Sequence, residues 1–297
     1  MTTPTRVPNP PPTAASPLIS AAALADLVSR PGLLVVDCRF ELSDTSRGRT
    51  DYLAGHIPGA VYAHLDEQLS APRTSGSGRH PLPSPEGFAR TLGEWGLTPD
   101  TLVVAYDNGS GAIAARLWWM LRARGHSRVQ VLDGGLTAWR AAGLPLETAT
   151  PSLRPTLRPT VVAVQPFTGA VDSEAVQAGV AEGDIVLVDA RAADRFAGQN
   201  ETLDPVAGHV PGSVNHPFSR NLGNDGRFLG VDVLRERWQP MLALAGDRTL
   251  VAMCGSGVTA CHNLLALDLI GSPGQLYAGS FSEWITNPAR PVATGAM

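Results

Sequence analysis

One cysteine of this chain lies in a segment that favours nucleophilic chemistry. Cys254 follows an apolar run at 249–253 and begins the segment 254–260, Cys-Gly-Ser-Gly-Val-Thr-Ala, which we expect to lead from a strand into a helix. The glycines let the backbone curl, so that successive amide N–H groups point at the first side chain. A thiol held in such a nest at a helix N-terminus loses its proton readily. We therefore predict a nucleophile at Cys254. Three loop residues are predicted to surround the reacting substrate atoms: Gly255, Gly257 and Val258.

The rest of the composition limits the chemistry. All 23 basic residues are Arg, which excludes Schiff-base and P-loop lysine chemistry. Cys38, on a predicted strand, and Cys261, on a predicted helix, are interpreted as structural, and three cysteines are too few for a disulfide scaffold or a Cys-rich zinc site. The net charge of −4 without an Arg-rich run argues against nucleic acid as a partner. The sequence contains no stretch of about 18 apolar residues, so we predict no membrane span. We expect a cytoplasmic protein without metal or cofactor.

The elements that must position the loop occur twice. A strand-like apolar run ends in Asp-x-Arg at 37–39 and again at 189–191, and Gly-His-x-Pro-Gly occurs at 55–59 and 208–212. Such matches in the same order indicate two copies of one domain. In the first copy, Asp107 occupies the position of the cysteine.

Both copies alternate apolar strand-like runs with helical patterns. Strands that are covered on both faces and separated by helices form parallel sheets. We therefore predict an α/β fold with two tandem domains, each a small doubly wound parallel sheet with helices on both faces and with its reactive residues at the carboxyl ends of strands. The predicted segments are a disordered Pro-rich leader at 1–16, a non-catalytic domain at 17–147, a Pro-rich linker at 148–165 and a catalytic domain at 166–297.

These motifs resemble the rhodanese family of sulfurtransferases over nearly the whole chain. The cysteine loop is most similar to that of 3-mercaptopyruvate sulfurtransferases, whereas thiosulfate-preferring members commonly carry basic residues where this chain has Gly255 and Ser256. The resemblance implies two rhodanese-like domains, the first catalytically silent. It also implies transfer of a sulfane sulfur from 3-mercaptopyruvate to a thiol or cyanide acceptor through a Cys254 persulfide. Thiosulfate is the alternative donor, a thioredoxin-like reductant is a candidate acceptor, and the expected state is a monomer or weak dimer.

The resemblance also implies roles for individual residues. Ser256 matches a serine that works with a histidine and an aspartate of the first domain, here His80 and Asp66, to deliver a proton. Thr259 is expected to hydrogen-bond the sulfur or to cap its helix.

Donor recognition shows one departure from the family pattern. Arg195 matches one of two arginines that bind the donor carboxylate. The second arginine is expected near the position where this chain has Asp204. We expect Asp204 to weaken donor affinity and Asp204→Arg to lower KM for 3-mercaptopyruvate. His56 and His209 are expected to be structural turn residues.

Other functions fit the sequence less well. Phosphatases of the Cys-x5-Arg type need an arginine six residues after the cysteine, where this chain has Ala260. The glycine-containing segment 109–114 follows a strand but lacks the rest of a dinucleotide-binding fingerprint. A persulfide carrier or redox module, with Cys261 as a resolving thiol, stays open. Turnover with a small acceptor distinguishes an enzyme from a carrier, which stops after one equivalent.

Overall fold

Two parallel sheets form the framework of the protein. The computed structural model describes residues 16–148 and 160–295, so most of the predicted leader and residues 149–159 of the predicted linker lie outside the described residues. Each sheet has five strands, and all pairings between them are parallel. The fold class predicted from the sequence is confirmed.

The two domains repeat one order of elements. The first contains β1 (Leu18–Ile19), α1 (Ala21–Ala25), β2 (Leu33–Asp37), α2 (Arg47–Ala54), β3 (Val61–Tyr62), α3 (Pro85–Glu94), β4 (Leu102–Tyr106), α4 (Ala114–Ala123), β5 (Val129–Leu132) and α5 (Gly135–Ala141). The second contains β6 (Ala170–Val171), α6 (Ser173–Glu182), β7 (Ile185–Asp189), α7 (Ala193–Phe196), β8 (Val214–Asn215), a 3-10 turn (Phe218–Asn221), α8 (Val231–Ala245), β9 (Thr249–Met253), α9 (Thr259–Leu269), β10 (Gln275–Tyr277) and α10 (Ser280–Trp284). The strand orders are β1-β5-β4-β2-β3 and β6-β10-β9-β7-β8, the same topology twice. Within the described residues, no helix has the length and apolar character that crossing a bilayer requires.

The repeated Asp-x-Arg motif is a structural unit at a strand end. Arg191 donates from Nε and Nη2 to the carboxylate of Asp189 at 2.9 and 2.7 Å, and from Nη2 to the carbonyl of Gly208 at 2.8 Å. Arg39 and Asp37 form the same pair in the first domain. Because both partners are buried, the pair satisfies each charge inside the protein and fixes the turn that carries the Gly-His motif.

The two domains contact each other through helices and through loops that reach across the boundary. Helix α4 of the first domain packs against α9 of the second. The N–H of Arg79, from the first domain, donates to Ser282 Oγ at 3.0 Å. In return, the N–H of Phe228, from the second domain, donates to Asp133 Oδ1 at 2.8 Å. Each domain thus covers strand ends of the other, and the cysteine loop lies between them.

Three buried histidines make the stability of the protein depend on pH. Burial lowers the pKa of His80 to about 3, that of His216 to about 4 and that of His262 to about 3. Between these values and about 6.5, the unfolded chain binds protons that the folded protein does not bind. The stabilisation by neutral histidine is therefore complete above about pH 6.5 and is lost as the pH falls toward the folded pKa.

We predict that His262→Gln makes the stability less sensitive to acid. Near pH 5, the free energy of unfolding of the variant should change with pH less steeply than that of the wild type, by about 1 kcal/mol per pH unit, because one proton-binding group has been removed. Urea denaturation of both proteins at pH 7, 6 and 5 measures the two slopes. The acidic groups are the same in both proteins, so their contributions cancel in the difference between the two slopes. Parallel slopes would contradict the prediction.

Candidate active site

The sulfur of Cys254 lies in an amide nest at the carboxyl end of β9. Only 2% of the residue's surface is exposed. Its Sγ accepts the N–H of Ser256 at 3.4 Å and the N–H of Gly257 at 3.1 Å. The arrangement expected from the two glycines is therefore present. Two N–H dipoles that converge on one sulfur stabilise negative charge on it.

Two residues with positive φ hold the loop in this shape. Gly257 has a φ of +75°, and a Cβ there would overlap the carbonyl of Ala278. Ser280 has a φ of +55°, which is uncommon for a residue with a side chain. Its hydroxyl accepts the N–H of Cys254 at 3.0 Å and donates to the carbonyl of Tyr277 at 2.8 Å. Ser280 thus supports the cysteine backbone, a role that no motif in the sequence indicates.

Ser256, His80 and Asp66 form one chain of polar contacts beside the cysteine. Ser256 Oγ lies 2.7 Å from His80 Nδ1, and His80 Nε2 lies 3.3 Å from Asp66 Oδ1. Ser256 and His80 are buried, whereas 42% of the Asp66 side chain is exposed. The three residues named from the sequence are therefore brought together across the domain boundary.

The protonation of this chain follows from its surroundings. Burial, supported by the charges of Arg116 and Arg79, lowers the pKa of His80 to about 3, so the imidazole is neutral at pH 7. The carboxylate of Asp66 can only accept a hydrogen bond, which places the imidazole proton on Nε2. Nδ1 is then the acceptor, and the Ser256 hydroxyl donates to it. A proton can move along this chain in either direction.

Two arginines, one from each domain, lie over the backbone of Gly255. A Cβ added to Gly255 would stand 2.5 Å from Arg79 Nη2 and 3.7 Å from Arg195 Nη2. Arg195 donates from Nη2 to Glu201 at 2.9 and 3.0 Å and to Asp204 at 3.3 Å. Asp204 also pairs with Arg79 Nη1. A side chain at 255 would displace the guanidinium of Arg79, so the glycine lets this arginine lie over the loop.

These contacts change the interpretation of Asp204. Its side chain is 2% exposed and is paired with both guanidiniums, so it is not a free charge that repels the donor. Asp204→Arg would bring three guanidiniums together and leave Arg79 without its carboxylate. The expectation that this substitution strengthens donor binding does not fit the structure. The second guanidinium near the cysteine comes from Arg79, which the sequence reasoning missed although it directly precedes His80.

Comparisons with known proteins show the family to which the chain belongs. The sequence profile of the rhodanese-like domain matches residues 20–142 and 172–287. The chain belongs to the rhodanese family.

A Pseudomonas aeruginosa protein named "Probable 3-mercaptopyruvate sulfurtransferase" is 50% identical over 287 residues, which cover 94% of this chain and 98% of that protein. The thiosulfate sulfurtransferase of Bos taurus is 36% identical, with 90% of this chain and 91% of that protein covered. The structure of the Escherichia coli 3-mercaptopyruvate sulfurtransferase SseA matches with a TM-score of 0.78 at 32% identity, covering 90% of this chain and 100% of that one. The protein is therefore a sulfurtransferase with two rhodanese domains.

The corresponding loop of the first rhodanese domain is filled by its own side chain. The carboxylate of Asp107 accepts the N–H groups of Gly109, Gly111 and Ile113 at 2.9–3.0 Å and that of Ala114 at 3.3 Å. The amides that would bind a phosphate or a substrate anion are thus already used. This explains the glycines of the segment without a dinucleotide.

The remaining residues singled out from the sequence have structural surroundings. Thr259 begins α9, and among the described residues it makes no hydrogen bond to Cys254 Sγ and no side-chain cap. Burial raises the pKa of Cys261 to about 12 and that of Cys38, which lies just after β2 rather than on it, well above its usual value. His56 stacks on Tyr52 at 4.0 Å and His209 on Phe196 at 3.8 Å between ring centroids.

Within residues 16–148 and 160–295, no group of three or more His, Cys, Asp or Glu side chains is arranged to hold a metal ion. Val258 directly precedes α9 and is 7% exposed. It belongs to the same buried apolar cluster as Cys254, and its contact with a substrate stays a prediction.

Proposed function

We propose that the protein transfers the sulfur of 3-mercaptopyruvate to a thiol or cyanide through a persulfide on Cys254. The observation that carries this proposal is the contact chain from Ser256 through His80 to Asp66, next to the sulfur. Such a chain is needed when the leaving group must be protonated. The similarity to the Pseudomonas aeruginosa protein supports the same donor.

The first half-reaction follows from the geometry. The Cys254 thiolate attacks the sulfur of the donor, an S–S bond forms, and the C–S bond breaks with its electron pair going to carbon. The product is the enolate of pyruvate. The proton of the donor thiol passes through the Ser256 hydroxyl to His80 Nδ1 and returns along the same chain to the enolate carbon, which leaves the outer sulfur of the persulfide as an anion. The persulfide left on Cys254 lies in the nest of the Ser256 and Gly257 N–H groups, which stabilise charge on sulfur.

The second half-reaction regenerates the enzyme. An acceptor thiolate or cyanide attacks the outer sulfur of the persulfide, and the S–S bond breaks with its electron pair going to the Cys254 sulfur. The products are the acceptor with one added sulfur and the thiolate. We include a thioredoxin-like reductant among the acceptors. We also propose that the protein acts in the cytoplasm as a monomer or weak dimer. All three cysteines are unpaired, as this chemistry requires for Cys254.

The charges around Gly255 favour a donor with a single negative charge. Arg79 and Arg195 are partly compensated by Glu201 and Asp204, so these four groups together carry no net charge. A monoanionic carboxylate can share the guanidinium N–H groups with them. A dianion such as thiosulfate brings one more negative charge beside two guanidiniums that are already paired with carboxylates.

Steady-state kinetics test the donor. We expect kcat/KM to be higher for 3-mercaptopyruvate than for thiosulfate, with cyanide as the common acceptor. The second candidate donor, thiosulfate, is supported by the 36% identity to the bovine enzyme. A higher kcat/KM for thiosulfate would favour that candidate. Arrest after one equivalent of transferred sulfur would instead identify a carrier.

We predict that Arg195→Ala impairs donor use and spares acceptor use. Loss of one charge-assisted hydrogen-bonding partner costs about 1.5–3 kcal/mol, which corresponds to about a ten- to hundredfold loss in kcat/KM for 3-mercaptopyruvate. Arg79→Ala should act in the same direction. The rate at which cyanide removes sulfur from preformed persulfide, measured in a single turnover, should change little.

Arg227→Ala is the matched control for these two variants. Arg227 is in the corresponding Gly-Arg segment of the second domain, its side chain is 47% exposed, and it pairs only loosely with Asp225 at 3.8 Å. We expect wild-type kcat/KM for this variant. Unchanged donor kinetics in Arg195→Ala and Arg79→Ala would show that both arginines are structural.

A further inference from the structure

Arg116 is a buried cation that the reaction scheme above leaves unused. It lies on α4 of the first domain, and none of its surface is exposed. Within the described parts of the chain, no carboxylate pairs with it. Removing a guanidinium from water without an anionic partner is costly, so a residue of this kind needs an explanation.

The hydrogen bonds of Arg116 join the two halves of the active site. Nη1 donates to the carbonyl of Gly257, in the cysteine loop, at 3.0 Å. Nη2 donates to the carbonyl of His80 at 3.0 Å and to that of Leu69 at 3.4 Å. Nε is buried and has no hydrogen-bond partner among the described residues. One side chain thus fixes the loop of the nucleophile relative to the histidine of the proton chain.

Among the described residues near Arg116, only a cysteine thiolate could supply the negative charge that balances its guanidinium. The three carbonyls solvate the guanidinium but carry no net charge. Two sulfurs contact the same Gly257: Cys261 Sγ faces its carbonyl at 3.3 Å and also neighbours the guanidinium, and Cys254 Sγ accepts its N–H at 3.1 Å. Burial raises the pKa of Cys261 to about 12, so that thiol is neutral. Cys254 remains, and its Sγ accepts the N–H of the same Gly257 whose carbonyl faces Arg116.

We propose that Arg116 is the buried counter-charge of the Cys254 thiolate and persulfide, supplied by the domain that has no nucleophile. It acts through the cysteine loop and touches no substrate, so it is a positioning and electrostatic residue. The inference rests on the proposed function only in taking Cys254 as the nucleophile. It is independent of the donor.

The other basic groups around Cys254 are paired with carboxylates or neutral, and the remaining carboxyl groups supply no positive charge. The guanidiniums over Gly255 have carboxylate partners, the imidazole of the proton chain is neutral at pH 7, and the carboxyl group on α10 lies against Gly279. These groups are Arg79, Arg195, Asp204, Glu201, His80, Asp66 and Glu283. Arg116 is the cation at the loop for which the described residues offer no carboxylate.

The pH profile of Cys254 alkylation tests the proposal. Wild type, Arg116→Met and Arg116→Lys are treated with iodoacetamide between pH 4 and pH 10, and the mass of the Cys254 peptide gives the rate. We expect Arg116→Met to move the midpoint upward by about one pH unit or more, which slows alkylation about tenfold below both midpoints. Arg116→Lys keeps the charge, and its midpoint should lie closer to that of the wild type.

Arg122→Met is the matched control. Arg122 lies on the same helix, is also buried, and has a carboxylate nearby, with its Nη2 3.8 Å from Asp268 Oδ1. We expect this variant to lose stability but to keep the wild-type midpoint. If Arg116→Met does not fold, Arg116→Gln is the second neutral variant, since its amide can still donate to the Gly257 carbonyl.

Three results separate the hypotheses. A folded Arg116→Met or Arg116→Gln protein with the wild-type midpoint overturns the role of Arg116. An equal upward shift in Arg116→Lys also overturns it, because the charge would then be irrelevant. Wild-type protein that alkylates normally but forms no persulfide with either donor contradicts the proposed function and leaves the result for Arg116 intact.

Discussion

Cys254→Ser is expected to abolish sulfur transfer from every donor while the fold stays intact. Serine is close to cysteine in size and can accept the same two N–H groups, those of Ser256 and Gly257. Its oxygen cannot form the S–S bond on which both half-reactions depend. Other enzymes lose more than about 10⁴-fold in kcat when their nucleophile is removed, and we expect a loss of that size here.

Cyanide-dependent turnover and peptide mass measure this effect together. Donor-treated wild type should gain one sulfur on the peptide that contains Cys254. Cys38→Ser and Cys261→Ser are the controls, since both thiols are buried and Cys261 Sγ faces the carbonyl of Gly257 at 3.3 Å. These variants should keep most of the activity. Turnover by Cys254→Ser, or a wild type that gains sulfur elsewhere, would contradict the mechanism.

The cysteine loop was predictable because its chemistry is local. Two glycines within four residues of Cys254 determine where the amides point, and the apolar run before it determines that the loop follows a strand. The repeat made the parallel sheets predictable as well, since both copies carry the same buried strand ends. Ser256, His80 and Asp66 were named from a family resemblance, and no local pattern would have paired them across the domain boundary.

What the sequence could not provide are contacts between distant side chains. In the sequence, Asp204 stands where an arginine is expected. The structure shows that it pairs with Arg79, which lies 125 residues earlier in the chain. Arg116 reads as one residue of a helical pattern, yet its guanidinium reaches Gly257, 141 residues later. Neither pair has a sequence spacing that indicates contact. The packing of α4 on α9 brings Arg116 to Gly257, and loops of the two domains bring Arg79 to Asp204.

The first domain has no cysteine in the loop that corresponds to the cysteine loop. Its own loop is closed by Asp107, whose carboxylate occupies the position that a substrate anion would need. At the same time it contributes the imidazole of His80, the guanidinium of Arg79 and the buried charge of Arg116 to the second domain. In the proposed mechanism, one copy carries the reacting sulfur and the other supplies proton transfer and charge.

His80→Gln is expected to separate the two candidate donors. With 3-mercaptopyruvate the leaving group is an enolate that must be protonated, and loss of a positioned proton donor or relay typically costs about 10²–10⁴-fold. With thiosulfate the leaving group is sulfite, a stable anion that needs no proton to depart. We expect kcat for 3-mercaptopyruvate to fall at least about 100-fold and kcat for thiosulfate to change far less.

Ser256→Ala should give the same selectivity, because the hydroxyl of this residue contacts His80 while its N–H contacts the Cys254 sulfur. Asp66→Asn should have a smaller effect, since 42% of that side chain is exposed and water can replace the contact 3.3 Å from His80 Nε2. The control is the rate of iodoacetamide alkylation of Cys254, which should show that the nucleophile is still present.

The pH dependence of kcat for 3-mercaptopyruvate is an independent test of proton transfer through His80. Burial lowers the pKa of His80 to about 3, so kcat for 3-mercaptopyruvate should show no ionisation of this histidine between pH 5 and pH 8. Below about pH 4, protonated imidazole can no longer accept the Ser256 proton, and the rate should fall if the fold persists. An equal loss for both donors in His80→Gln would mean that the histidine only supports the loop, because a structural defect does not depend on whether the leaving group needs a proton.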